Sequence, residues 1–192
     1  MKKLLIICLI LGAAEFAYPQ KGSVTKASAY LAKNDLASAK AEIDMAITIE
    51  KNSDKAKTWF ERGRIYQAIA TSEDESLRSL DSDAIAKTME SFQKVKSMEN
   101  ETAPQVILAD QNIASLWGKF INDGGTVYGE DKFEEAYENF LKALLVKPSD
   151  SLTLLYAGVC AQQVENYANT LKHYYKLDEL GYGSVDVYAT LV

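Results

Sequence analysis

Between Asp131 and Val146 the apolar and small residues fall at Phe133, Ala136, Tyr137, Phe140, Leu141, Ala143, Leu144 and Leu145. Steps of three and four set them along one side of a helix, while Asp131, Lys132, Glu134, Glu135, Glu138 and Lys142 occupy the other. Pro148 ends this helix, because it lacks the backbone donor and biases Lys147 away from helical geometry. Ser149, Asp150 and Ser151 each bring a side-chain oxygen that can cap the helix that follows. The same pattern then returns at a fixed offset. Phe120 falls on Leu154 and then on Tyr188, Gly124 on Gly158, Phe133 on Tyr167, Ala136 on Thr170, Phe140 on Tyr174, Ala143 on Leu177 and Pro148 on Tyr182. Small residues at Gly124, Ala136, Ala143, Ala157 and Gly158 allow two antiparallel helices to approach closely, and a bulky aromatic fills each gap.

A period of 34 carrying Gly124, Ala136-x3-Phe140, Ala143 and Pro148 resembles the tetratricopeptide repeat family. The resemblance implies an all-α fold, a right-handed α-solenoid of antiparallel helix pairs, with about four repeats plus the start of another. A weaker first copy, about residues 21–53, places Ala27 and Tyr30 on one helix, a turn at Lys33-Asn34-Asp35, and Ala39, Ile43 and Ala46 on the next. The second copy, about 56–102, opens with Trp59-x2-Arg62-Gly63-x2-Tyr66, where Arg62 replaces the family's usual Leu. Its second helix, with Thr88, Phe92 and Val95, arrives late. The step from Tyr66 to Phe92 is twice that from Tyr30 to Ile43, so a segment is inserted at about Thr71 to Asp83. That insertion is rich in Ser, Asp and Glu and reads as a solvated loop with a helical turn at Ser76 to Leu80. A second extra stretch precedes Phe120. With Pro104 at a first-turn position and Val106, Ile107, Ala109, Ile113 and Leu116 at helical steps, residues 104–116 read as an extra or elongated helix. The third and fourth copies cover about 117–150 and 151–184, with Gly181 as a C-cap. A partial copy over 185–192 brings Tyr188 and Leu191, and no polar capping helix follows it. The expectation is an N-terminal part of a longer protein.

Lys2 and Lys3, the apolar run Leu4 to Leu11 and the small residues Gly12, Ala13, Ala14 and Ala17 have the layout of a secretory signal peptide over residues 1–20. Cleavage after Ala14, after Ala17 or near Gln20 all fit the pattern. The run is too short to span a bilayer, and Cys8 lies too early in it for a lipoprotein. An exported protein of the periplasm or cell surface is expected. Removing residues 1–17 takes two cations and one anion from the chain, so the formal charge goes from -6 to -7. That balance, without a Lys/Arg cluster, argues against nucleic acid.

Little in the chain looks like chemistry. Cys160, the thiol left after cleavage, reads as a small buried hydrophobe. The one histidine, His173, lies between Lys172 and Tyr174 and is expected at a surface or groove edge. No Gly-rich phosphate loop, paired Cys or His-x3-His spacing occurs, and the acids of the insertion lack the EF-hand spacing and its Gly. No catalytic residue, cofactor or metal site is therefore expected, and the partner is expected to be a protein or peptide. In the resembled family the first helices of successive repeats line a concave groove. The matching places here are Phe60, Arg64 and Gln67, then Ile121 and Tyr128, then Leu155, Val159 and Gln162. The family's carboxylate-clamp Lys and Asn are missing from those places, which disfavours a chaperone-cofactor role and leaves an apolar peptide or helix as the ligand. The reading is a non-catalytic interaction scaffold. A self-assembling, homo-oligomeric envelope-complex subunit, or the N-terminal part of a protein whose activity lies further on, stay open beside it.

Overall fold

Helix-period patterning with three Pro and ten Gly in the whole chain leaves few breaks, and the computed structural model is all-helical over the residues it describes, 22–183. The expected leader over 1–20 and the partial repeat with Tyr188 and Leu191 lie outside the described residues. In chain order the helices are α1 Val24–Ala32, α2 Leu36–Ile47, α3 Glu50–Ser53, α4 Ala56–Ala70, α5 Glu75–Arg78, α6 Ala84–Met98, α7 Pro104–Tyr128, α8 Phe133–Val146, α9 Ser151–Gln163 and α10 Tyr167–Glu179. Four pairs stand out, α1 with α2, α4 with α6, α7 with α8 and α9 with α10, and α2 packs on α4, α6 on α7 and α8 on α9. The residues expected as an extra or elongated helix are the first half of α7, which runs unbroken for 25 residues.

The turns inside three of the pairs share one construction. Asn34, Asp131 and Glu165 each take positive φ, at 58°, 59° and 57°. The next residue's N–H then reaches back over the turn: Asp35 donates to Tyr30 O (3.0 Å), Lys132 to Val127 O (3.0 Å) and Asn166 to Ala161 O (2.8 Å). These bonds satisfy carbonyls that a helix end leaves open. Asp131 and Glu165 lie one full period apart in the chain, so the repeat extends to backbone conformation. Gly181, at φ 77°, closes α10 in the same way, with Tyr182 N–H on Leu177 O (2.9 Å). Of the three offered caps, Asp150 is the one used for α9: its carboxylate accepts from Thr153 N–H at 2.8 Å.

Within the pairs, small residues meet rings as the spacing predicts. A methyl group at Gly63 would lie 2.5 Å from Phe92 Cε1, one at Gly124 2.8 Å from Phe140 Cε1, and one at Gly158 would overlap the Tyr174 ring. Hydrogen on these three glycines is what lets the helices close. Among the described residues no single central core results. Five apolar clusters follow one another along the chain, the second joining α4, α6 and α7, the third α6, α7 and α8, and the fourth α7, α8 and α9. Each pair buries its apolar face only by stacking on the next, which is the logic of repeat architectures.

Two sequence departures acquire structural causes. Arg62 is buried, its Nη1 donating to Ser91 Oγ (2.6 Å) and Glu90 Oε2 (2.9 Å) on α6, with its guanidinium over the Tyr66 ring at 4.9 Å. It ties α4 to α6 where a leucine could only pack. The insertion, expected as a solvated loop, is exposed over Glu73 to Ser76 but anchored at its end. Leu77 and Leu80 pack on the first apolar cluster. Asp81, nearly buried, binds Lys87 at 2.6 Å and Lys40 at 3.4 Å, so the insertion is clamped to both α2 and α6. The reason is local: the detour leaves the top of the Tyr66 cluster open, and two leucines and one carboxylate close it.

Candidate functional site

The eight residues matched to a first-helix groove differ in exposure and contacts. Phe60 is half-buried with its ring 5.9 Å from Phe92, against the cluster that includes Val106 and Ala109 of α7. Gln67 donates Nε2 to Asn112 O at 3.4 Å, while its Oε1 is buried with no partner among the described residues. The long first half of α7 therefore covers the face of α4 on which both sit. Ile121 packs into the third and fourth apolar clusters. Tyr128 meets Phe133 and Tyr156 edge-on, at 5.4 and 5.7 Å. Arg64, Leu155 and Gln162 reach solvent, Val159 is half-buried, and Arg64 pairs with Glu61 at 3.2 Å. None of the eight lines any of four cavities found among the described residues.

The most apolar of those cavities lies on the other side of the pairs. It occupies about 680 Å³ between α8 and α10 and is lined by Leu141, Leu144, Leu145, Pro148, Leu154 and Tyr175, with Lys142, Lys172, Lys176 and Glu179 around it. Leu145 also lines a neighbouring cavity of about 550 Å³ beside α6, together with Trp59 and Met89. Leu145 on α8 thus lines one cavity toward α10 and another toward α6. By sequence Leu141 and Leu145 belong to the buried helix stripe, and the structure corrects their place: they are 38% and 59% exposed. Ala136, Phe140 and Ala143 already fill the contact with α7 and α9, so these two leucines lie on the flank of the stripe. A stripe wider than one neighbour can cover was the available signal.

A third cavity, about 450 Å³, is polar. Ser72, Glu73 and Arg78 of the insertion face Lys119, Asp123 and Thr126 of α7 and Glu135, Asn139 and Lys142 of α8. Its charges largely answer one another: Lys119 holds Asp123 at 2.9 Å, and Arg78 donates to the carbonyls of Ser72 and Glu73 at 2.7 and 2.8 Å.

His173 corrects a second expectation. Only 4% exposed, it is not a surface residue but forms part of the floor of the α8–α10 groove, its Nε2 3.1 Å from Tyr137 Oη on α8. Burial, with Lys172 beside it, pushes the imidazole down to about 4 from an ordinary 6.5. Below pH 6.5 the unfolded chain takes up a proton that the folded chain refuses until about pH 4, so stability present at neutral pH falls across that window by up to ~3 kcal/mol. Replacing His173 by Gln, polar but not titratable, is expected to flatten the pH dependence of the denaturation midpoint there. An unchanged slope would assign it to other groups. Asp81 adds loss of the same sign in stronger acid: burial pushes its carboxyl up, but Lys87, the Asp83 N–H and Lys40 outweigh this and hold it below the usual range. Cys160 is buried as expected, and burial pushes its thiol up to about 11, which removes the thiolate that nucleophilic chemistry needs.

No protein-family model matches this chain, and no curated protein matches it. The class of protein is therefore defined by architecture: a repeat-like series of helix pairs, all-α over the described residues, none of whose helices is long and apolar enough to cross a membrane.

Proposed function

We propose that the chain is a non-catalytic protein-interaction scaffold of tetratricopeptide type, exported to the periplasm or cell surface, whose helix pairs present a binding face to a partner segment. The observation that carries the reading is the lock of small residue against ring repeated at Gly63/Phe92, Gly124/Phe140 and Gly158/Tyr174. Such a lock fixes each pair as a rigid unit and leaves the outer side chains of the first helices available, here Arg64, Leu155 and Gln162. The residues best suited to acid–base or nucleophilic work support the non-catalytic part: His173 and Cys160 are both buried, with titration moved away from neutrality. Export rests on the Lys2-Lys3 and Leu4 to Leu11 pattern.

The test is site-specific photo-cross-linking of the full chain in its own cells. A photoreactive residue at position 155 or 162 is expected to trap one recurring protein, through one recurring segment. The same residue at exposed Lys51, far along the chain on α3, is expected not to. Equal, scattered labelling from all three positions would sink the reading.

A further inference from the structure

The groove between α8 and α10 has a composition unlike the rest of the surface. Leu145, Tyr175 and Leu141, 59%, 54% and 38% exposed, stand around a floor made by Leu144, Leu154 and His173. Lysines ring this apolar trough. Among the described residues Lys142 and Lys172 have no ion-pair partner, and Lys176 is answered only by Glu179, at 2.8 Å. The rim is net two positive on a chain whose formal charge is -6. Large exposed apolar side chains inside a rim of net positive charge mark a surface that is covered by something of the other sign.

The walls decide the backbone of what covers it. Both are helices, whose interior N–H and C=O groups are already bonded within the helix, so they offer no edge to an extended strand. A helix brings its own backbone satisfied and can lay an apolar stripe into the trough. We propose that the α8–α10 groove is a docking site for an amphipathic helix of a partner protein, apolar on one face and flanked by Asp or Glu that meet Lys142 and Lys172. A second copy of this chain is the poorer occupant, because apposing two such grooves sets like lysines against each other. The acidic insertion does not supply the helix either, since its Leu77 and Leu80 are already packed against the first cluster.

This inference rests on the scaffold reading but places a contact on the second-helix side, so the two can fail separately. The probe is a displayed library of random helical peptides, about fourteen residues long, selected on the immobilised full chain. Expected are enriched sequences with Leu, Ile or Phe at helical spacing and Asp or Glu beside them. Their affinity should drop at least roughly tenfold on Lys142→Glu with Lys172→Glu and on Leu145→Asp, and stay within about twofold on Leu155→Asp. Lys142, Lys172 and Leu145 are not core residues, and matched thermal melts keep a folding defect apart from a binding one. The proposal is overturned if nothing is enriched, or if the enriched peptides are basic. It is equally overturned by binders indifferent to these substitutions, or by a dimer in solution that Leu145→Asp dissociates. Binders lost only on Leu155→Asp would overturn the groove while leaving the scaffold reading in place.

Discussion

Ala136→Arg is expected to destroy the packing of the second half of the chain while sparing the first. Ala136 is fully buried and shares its cluster with Phe140, Ala157 and Cys160, where α7, α8 and α9 meet. An arginine there puts a charge into an apolar contact with no acid in the cluster to receive it, and unpaired buried charge costs several kcal/mol or more. A domain's whole stability is only about 5–15 kcal/mol. Because the clusters follow one another along the chain, the damage should be local. Hydrogen exchange is expected to show protection lost from α8, α9 and α10 and kept in α1, α2 and α4, with the cooperative melt replaced by a broad one. Glu138→Arg, two residues away but exposed and past the first turn of α8, should change stability by no more than about 0.5 kcal/mol. Similar melts for the two variants would mean that Ala136 does not face the helix-pair contact.

What made Ala136 legible from sequence also marks where sequence reading stops. Period 34 names the residues that must point inward whatever the neighbours do: Gly124 and Gly158, Phe140 and Tyr174, Ala136 and Ala143. Even the insertion is legible in this way, since the step from Gly63 to its ring at Phe92 exceeds that from Gly124 to Phe140 by the length of the segment 71–83. The candidate site was not legible, because a groove depends on distances between elements that are not neighbours in the chain. Phe60 and Gln67 hold the positions that the resemblance assigns to a concave face, yet the first half of α7 covers them. Leu145 looks like core on its helix, and only the gap between α8 and α10 leaves it exposed. Arg62, Asp81 and His173 form a third kind. Each is polar and largely withdrawn from solvent, and each has partners on another helix: Ser91 and Glu90 for Arg62, Lys87 and Lys40 for Asp81, Tyr137 for His173. Residue type predicts exposure for all three, and specific polar contacts between helices reverse it.

The pairing of glycine with ring can be measured directly at Gly124 and Phe140. Phe140→Ala removes a ring that is 1% exposed and stacks on Tyr156 at 5.4 Å, so it should cost ~3–5 kcal/mol. Gly124→Leu drives a side chain into that same ring, whose Cε1 would be 2.8 Å from the new Cβ. Overpacking of this kind typically costs ~1–3 kcal/mol, and the upper end is expected because the ring is hemmed in by Tyr156. In the double variant the leucine enters space the ring has vacated, so both the overpacking and part of the cavity are relieved. The roughly 1 kcal/mol of helix propensity gained by replacing glycine is common to the single and double variants and cancels. The double variant is therefore expected to be more stable than the sum of the single losses by about 2 kcal/mol, read from denaturant midpoints at equal m-value. Additivity within about 0.5 kcal/mol would show that the two positions do not share one space. Since Gly63 with Phe92 and Gly158 with Tyr174 present the same geometry, each should show coupling of the same sign. Coupling at Gly124 alone would make the contact a local accident of α7 and α8 and would remove the main support for a repeated pair.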